Sequence, residues 1–170
     1  MRLMIKRIDS SYNEVLDANQ ITDQVWCGAT LVANSIPALA ALGIKLVVNV
    51  EMFQNYSPES LARAGIDFLS IPIRDIDEPL ADRVIDKAVA AINEFASRGE
   101  PVYTHCTAGW QRSPAIVACY LVYTGMQAEK SLALIKQKRP VARFYASHIA
   151  SVIGYELRLR SQASEMRVNQ

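Results

Sequence analysis

The sequence predicts an α/β fold: a central, mostly parallel sheet of about four to five strands flanked by helices, with a helical cluster toward the C-terminus. Three observations carry this. Short β-branched and apolar runs alternate with amphipathic segments of helical length. Glycines stand where several helical segments must stop. Beyond Gly125 the pattern turns wholly helical.

The elements follow in order. Met1 to Ile8 alternates basic and apolar residues, as a first strand or a tail would. Ile21 to Gly28 (ITDQVWCG) reads as a strand. Ser35 can cap a short helix over Ile36 to Leu42, with Pro37 in its first turn and Gly43 after it. Ile44 to Val50 (IKLVVNV) has the composition of a buried strand. Ser57 and Pro58 start another short helix, which Gly65 ends. Ile66 to Ile73 is a third strand, with Pro72 marking an end or an edge. The clearest helix runs from Leu80 to Arg98, with Leu80, Val84, Ala88, Ile92 and Phe95 on one face. Pro101 to His105 is a fourth strand, and Arg112 to Thr124 a mostly apolar helix. Two more helices, Ala128 to Lys138 and Ser147 to Arg160, flank Arg139-Pro140.

At 170 residues the chain is expected to form one domain, its core at about 20–160. It is 51% hydrophobic and 21% charged, as in ordinary globular proteins. Eighteen basic against seventeen acidic residues give a net charge of +1. A nucleic-acid binder working by counterion release carries a basic excess, so no such partner is expected. No apolar run approaches the roughly 18–20 residues that span a bilayer, and no membrane partner is expected. Three cysteines, Cys27, Cys106 and Cys119, argue against a disulfide framework and for a reducing compartment. The expectation is a cytoplasmic monomer. Two histidines and no clustered cysteines give no recognisable metal spacing.

Chemistry concentrates in His105-Cys106-Thr107-Ala108-Gly109-Trp110-Gln111-Arg112-Ser113. A cysteine at a strand end, five residues, then an arginine at a helix start form a loop that can turn successive N–H groups inward. The helix N-terminus adds positive potential. Thr107, Ala108, Gly109, Trp110 and Gln111 would supply amides, and the planar fork of Arg112 would bind two phosphate oxygens. Gly109 supplies a turn position where a side chain would clash. The same field favours the thiolate of Cys106, the form that attacks phosphorus. A departing oxygen then needs a proton, and Asp75 or Asp77 in the preceding loop is a candidate acid. Ser113 can donate to the Cys106 sulfur and help it leave in a second step. Among the remaining residues, His105 is expected to order the loop and His148 to lie at the surface or in a cap. Arg143 is expected to be exposed. Lys136, Lys138 and Arg139 are read as a solvated face. Cys119 is expected in the core, and Cys27 close enough to the site for a disulfide with Cys106 to be conceivable.

At these residues the chain resembles the dual-specificity branch of the protein tyrosine phosphatase superfamily. Its loop reads His-Cys, two residues, Gly, two residues, Arg-Ser/Thr, and HCTAGWQRS matches every fixed position. QITDQVWCGA, LVVNV, IPIRD and KQKRPVA extend the similarity over about Gln20 to Glu156. The resemblance implies a protein tyrosine phosphatase-like fold. It implies a cofactor-free, two-step phosphatase with nucleophile Cys106, phosphate ligand Arg112, general acid Asp75 rather than Asp77, and supporting Ser113. Trp110 and Gln111 depart from the usual small residues, which bears on rate and substrate preference.

For substrate, the resemblance implies phosphotyrosine and phosphoserine/threonine in proteins or peptides. A phosphorylated glucan is the alternative, suggested by Cys-Thr-Ala-Gly and by Trp110, Phe144 and Tyr145 as sugar-stacking surfaces. Phosphoinositide phosphatases often carry lysines in this loop, and here there are none. A weak phosphate-binding pseudophosphatase is the reading from another class; Cys106, Arg112 and Asp75 together disfavour it.

Overall fold

The computed structural model describes residues 16–32 and 34–168, so the expectation for Met1 to Ile8 lies outside the described residues. The elements are β1 (Ala18–Gln20), β2 (Val25–Gly28), α1 (Ser35–Ala41), β3 (Leu46–Asn49), α2 (Pro58–Arg63), β4 (Asp67–Ser70), α3 (Asp82–Ala96), β5 (Val102–His105), α4 (Arg112–Tyr123), α5 (Ala128–Lys138) and α6 (Ala146–Val168).

The five strands form one sheet in the order β1-β2-β5-β3-β4. Strands β2, β5, β3 and β4 run parallel, and β1 joins the edge antiparallel. Successive side chains along a strand point to opposite faces, and this alternation splits the core in two. Val25, Cys27, Leu46, Val48 and Val102 meet Ile85, Val89, Ile92 and the apolar residues of α4 on one face. Trp26, Val47 and Tyr103 meet Leu31, Leu39 and Leu61 on the other. Helix α4 is the central helix, buried from Arg112 to Val122. That explains its lack of an amphipathic period: a helix covered all round is apolar all round.

Two stretches differ most from the sequence expectation. Ile21 to Gly28 is not one strand. The chain turns at 21–24, so that Ala18–Gln20 pairs back on Val25–Gly28. Thr22 makes the turn: its Oγ1 accepts the Val25 N–H at 3.1 Å, and the Ile21 and Thr22 N–H groups both donate to Val25 O. The last helix continues past Arg160 to Val168, its final two turns exposed. Among the described residues, no helix is long and apolar enough to cross a membrane.

All four parallel strands end at the same edge of the sheet. The segments leaving β2, β3, β4 and β5 therefore share one rim, the usual place for a site in an open α/β sheet.

Candidate active site

The loop from Cys106 to Gln111 joins the end of β5 to the start of α4. Four of its consecutive carbonyls are held from outside. Thr107 O accepts from Thr30 N (3.0 Å), Ala108 O from Arg139 Nη2 (3.3 Å), Gly109 O from Arg139 Nε (2.7 Å) and Trp110 O from Arg143 N (2.7 Å). The described chain has no cis peptide bond. In a trans peptide the C=O of one residue and the N–H of the next point in opposite directions. With the carbonyls turned outward, the N–H groups of Ala108, Gly109, Trp110 and Gln111 therefore turn inward. Nothing among the described residues accepts them. An inward ring of unpaired amides at a helix N-terminus is an anion cradle.

Gly109 makes the curl possible. Its φ is +66°, and a Cβ there would lie 2.4 Å from Gly28 C and 2.5 Å from both Gly28 O and Arg139 Nη2. Arg139 is the brace. Besides its two loop carbonyls it bonds Asp17 and Asn19 on the β1 side, and it is fully buried. This corrects the expectation of a solvated face for Arg139; only Lys136 and Lys138 are exposed. The arginine-proline stretch was the one sequence signal for it.

Cys106 lies beneath the loop, 2% exposed. Its Sγ is 3.3 Å from Ser113 Oγ, whose single proton has Gly28 O at the same distance as a second acceptor. Cys27 Sγ lies 3.7 Å from that hydroxyl on the other side. Burial pushes the Cys27 thiol up to about 12, so it stays protonated and donates to Ser113. With Cys27 as the donor, the serine proton is shared between the Cys106 sulfur and Gly28 O. Cys27, Cys106 and Cys119 are all free thiols.

Arg112 is buried, and its guanidinium closes the loop. Nη1 donates to Ile73 O (3.1 Å); Nη2 donates to Thr107 Oγ1 (3.0 Å) and Asp75 Oδ2 (2.7 Å). Nε is buried and has no partner among the described residues. The Nε/Nη2 edge is thus the fork that can bind two oxygens of a tetrahedral anion, once Asp75 yields Nη2. Asp75 is half exposed and sits in the rim segment after β4. Asp77 points elsewhere, its Oδ1 accepting Ser147 N at the start of α6 (3.1 Å).

Sequence reasoning missed a buried acid. Glu51 is 3% exposed and accepts from Thr30 Oγ1 (2.7 Å) and Thr107 Oγ1 (3.1 Å), tying the segment after β3 to the loop. His105 Nδ1 lies 3.8 Å from Glu51 Oε1, but burial lowers this imidazole to about 4, so at neutral pH the contact is no ion pair. Burial also raises Tyr56, which stays protonated and donates to His105 Nε2 at 2.6 Å. The remaining ring proton then belongs to Nδ1, beside Cys106 O. Arg143 is exposed as expected, its guanidinium 5.9 Å from the Trp110 ring centroid. His148, expected at the surface or in a cap, is fully buried in the first turn of α6, with the Tyr145 ring edge-on to it. Among the described residues, no group of three or more His, Cys, Asp and Glu side chains is arranged to hold a metal ion.

A cysteine under an amide cradle, an arginine closing it and a carboxyl opposite define the cysteine-dependent phosphatases. The model of the dual specificity phosphatase catalytic domain matches residues 25–158, and the chain belongs to that family. Among relatives, it is 31% identical over 140 residues to phosphatidylglycerophosphate phosphatase PTPMT1 of Arabidopsis thaliana, covering 81% of this chain and 42% of that one. It is 30% identical over 152 residues to PTPMT2 of the same plant, covering 86% and 65%. The chain thus spans less than two thirds of these relatives. Among solved structures, PTPMT1 in complex with PI(5)P superposes with a TM-score of 0.80 at 21% identity, covering 86% of this chain and 98% of that one, a likeness of fold.

Proposed function

We propose that the chain hydrolyses a phosphate monoester on a phospholipid head group through a phosphocysteine intermediate. The amide cradle and the Nε/Nη2 edge of Arg112 bind the phosphate, which displaces Asp75 from Nη2. The Cys106 thiolate attacks phosphorus as the bond to the leaving oxygen breaks, and Asp75 gives that oxygen its proton. Asp75, now a carboxylate, takes a proton from a water that attacks the phosphocysteine. The P–S bond breaks, inorganic phosphate leaves, and Ser113 stabilises the returning thiolate. Glu51, Arg139 and the Tyr56–His105 pair hold the loop.

One observation carries the choice of lipid over protein. The rim is set with exposed apolar side chains on three separate segments: Phe53 (84% exposed) and Met52 (46%) after β3, Ile76 (42%) after β4, and Trp110 (45%) in the loop itself. Large apolar groups placed together around an anion site suit a surface that offers both phosphate and hydrocarbon. The names of the plant relatives support the same class. The phosphoprotein expected from sequence remains the competitor, with the glucan behind it.

The test is a panel compared by kcat/KM: phosphatidylglycerophosphate in vesicles, a phosphotyrosine peptide, a phosphothreonine peptide and a phosphorylated glucan. The lipid is expected to lead by about tenfold or more, a difference of roughly 1.4 kcal/mol in transition-state binding. A peptide or glucan in first place overturns the lipid assignment. Turnover of none supports a phosphate-binding module instead.

A further inference from the structure

His148 is the polar side chain the chemistry above leaves unused. It lies in the first turn of α6, is fully buried, and neither Nδ1 nor Nε2 has a hydrogen-bond partner among the described residues. A buried polar group without a partner costs about 1–3 kcal/mol and calls for a reason. Its setting supplies one. The preceding residue, Ser147, holds Asp77 through its N–H, so the start of α6 is fastened to the segment that carries Asp75. The Tyr145 ring fixes the imidazole edge-on at 5.1 Å. The charges whose fields reach it are Asp77, Asp75 and Arg112; burial, with Arg112 acting in the same direction, outweighs the two aspartates and lowers the ring's proton affinity, leaving it neutral at pH 7. A neutral imidazole has one N–H to donate.

We infer that His148 is a positioning residue for Asp75: once phosphate takes Arg112, the imidazole N–H holds one carboxyl oxygen of Asp75 so that the other, protonated oxygen faces the leaving group. The proton stays on Asp75 until it passes to the leaving oxygen, and His148 neither gains nor loses one. This rests on the phosphatase reading with Asp75 as general acid.

The variants are His148→Phe, which keeps an aromatic ring beside Tyr145 but has no N–H, and His148→Gln, which restores a donor. Each is compared with Asp75→Asn on a nitrophenyl phosphate, whose leaving group needs no proton, and on an alkyl phosphate, whose leaving group does. The readout is kcat/KM, which covers the steps through departure of the leaving group. His148→Phe is expected to lose about tenfold on the alkyl ester and under about threefold on the nitrophenyl ester, a part of the roughly 10²–10⁴-fold that general acid catalysis supplies. His148→Gln should recover most of that loss. Its melting temperature should be no lower in the Phe variant, since the ring replaces an unpartnered polar group. Equal losses on both esters, no loss on either, or no recovery with Gln overturns the inference. If Asp75→Asn spares the alkyl ester, the acid assignment falls and this inference with it. If only His148→Phe spares it, the phosphatase reading stands and the inference alone fails.

Discussion

Arg112 Nη2 and Asp75 Oδ2 stand 2.7 Å apart. The cation that closes the anion cradle and the carboxyl opposite it are therefore partners of each other. Binding a phosphate at the Nε/Nη2 edge must break that pair and free the Asp75 side chain to turn toward the bound group. The pair is half open to water, Arg112 buried and Asp75 exposed, so its rupture costs far less than that of a fully enclosed pair.

Asp75→Asn should separate the two consequences. Removing the competing carboxylate should tighten vanadate binding several-fold, measured by inhibition or calorimetry. Hydrolysis of an alkyl phosphate should fall by roughly 10²–10⁴-fold. Asp77→Asn, whose side chain holds only Ser147 N, should lose much less. The reverse order would make Asp77 the acid.

The brace of the loop can be tested at two residues. Arg139→Ala should lower unfolding stability by roughly 1–3 kcal/mol, since it strips two loop carbonyls of a charged donor and removes a pair whose Asp17 partner is more than half exposed. Gly109→Ala should lower it by roughly 1–3 kcal/mol, because its Cβ meets Gly28 and Arg139. Both should weaken phosphate binding by letting the carbonyls turn. Urea melts and product-inhibition constants check this; wild-type values in either variant would contradict the brace.

Stability should fall in mild acid. His105 is neutral in the fold with a value of about 4, against 6.5 when exposed. Between these values the unfolded chain binds the extra proton, so stability drops as pH goes from about 6.5 to 4, by on the order of 3 kcal/mol from this group. His148, also lowered by burial, acts in the same direction. Urea melts at pH 7, 5.5 and 4.5 should show the loss, and His105→Asn should flatten it. A wild-type curve flat across this range would contradict a neutral, buried His105.

Replacing rim side chains should act on vesicles alone. Phe53→Ser with Met52→Ser should reduce kcat/KM on a vesicle-borne lipid by about tenfold and leave a soluble nitrophenyl phosphate within about twofold, as loss of interfacial binding predicts. Equal effects on both would show that these residues serve the chemistry rather than the surface.

The parallel sheet, the helices behind it and the cysteine-to-arginine loop were legible in the sequence because each is written locally, in apolar runs and in one contiguous motif. What escaped it is held by distant partners. The turn before β2 hides inside a run with strand composition, and only Thr22 hints at it. Arg139 looks like its solvated neighbours Lys136 and Lys138, because nothing local reveals that loop carbonyls await it. Glu51 reads as a loop acid until Thr30 and Thr107 are brought to it. His148 reads as a helix-start polar residue, and its burial comes from packing that no short window contains.

The most direct test of the account is to quench the enzyme in acid during turnover and map covalent phosphate by mass spectrometry, with Cys106→Ser alongside. A single phosphoryl group on the Cys106 sulfur, absent from an inactive Ser variant, is the predicted result. Phosphate on another residue, or turnover persisting in Cys106→Ser, would contradict it.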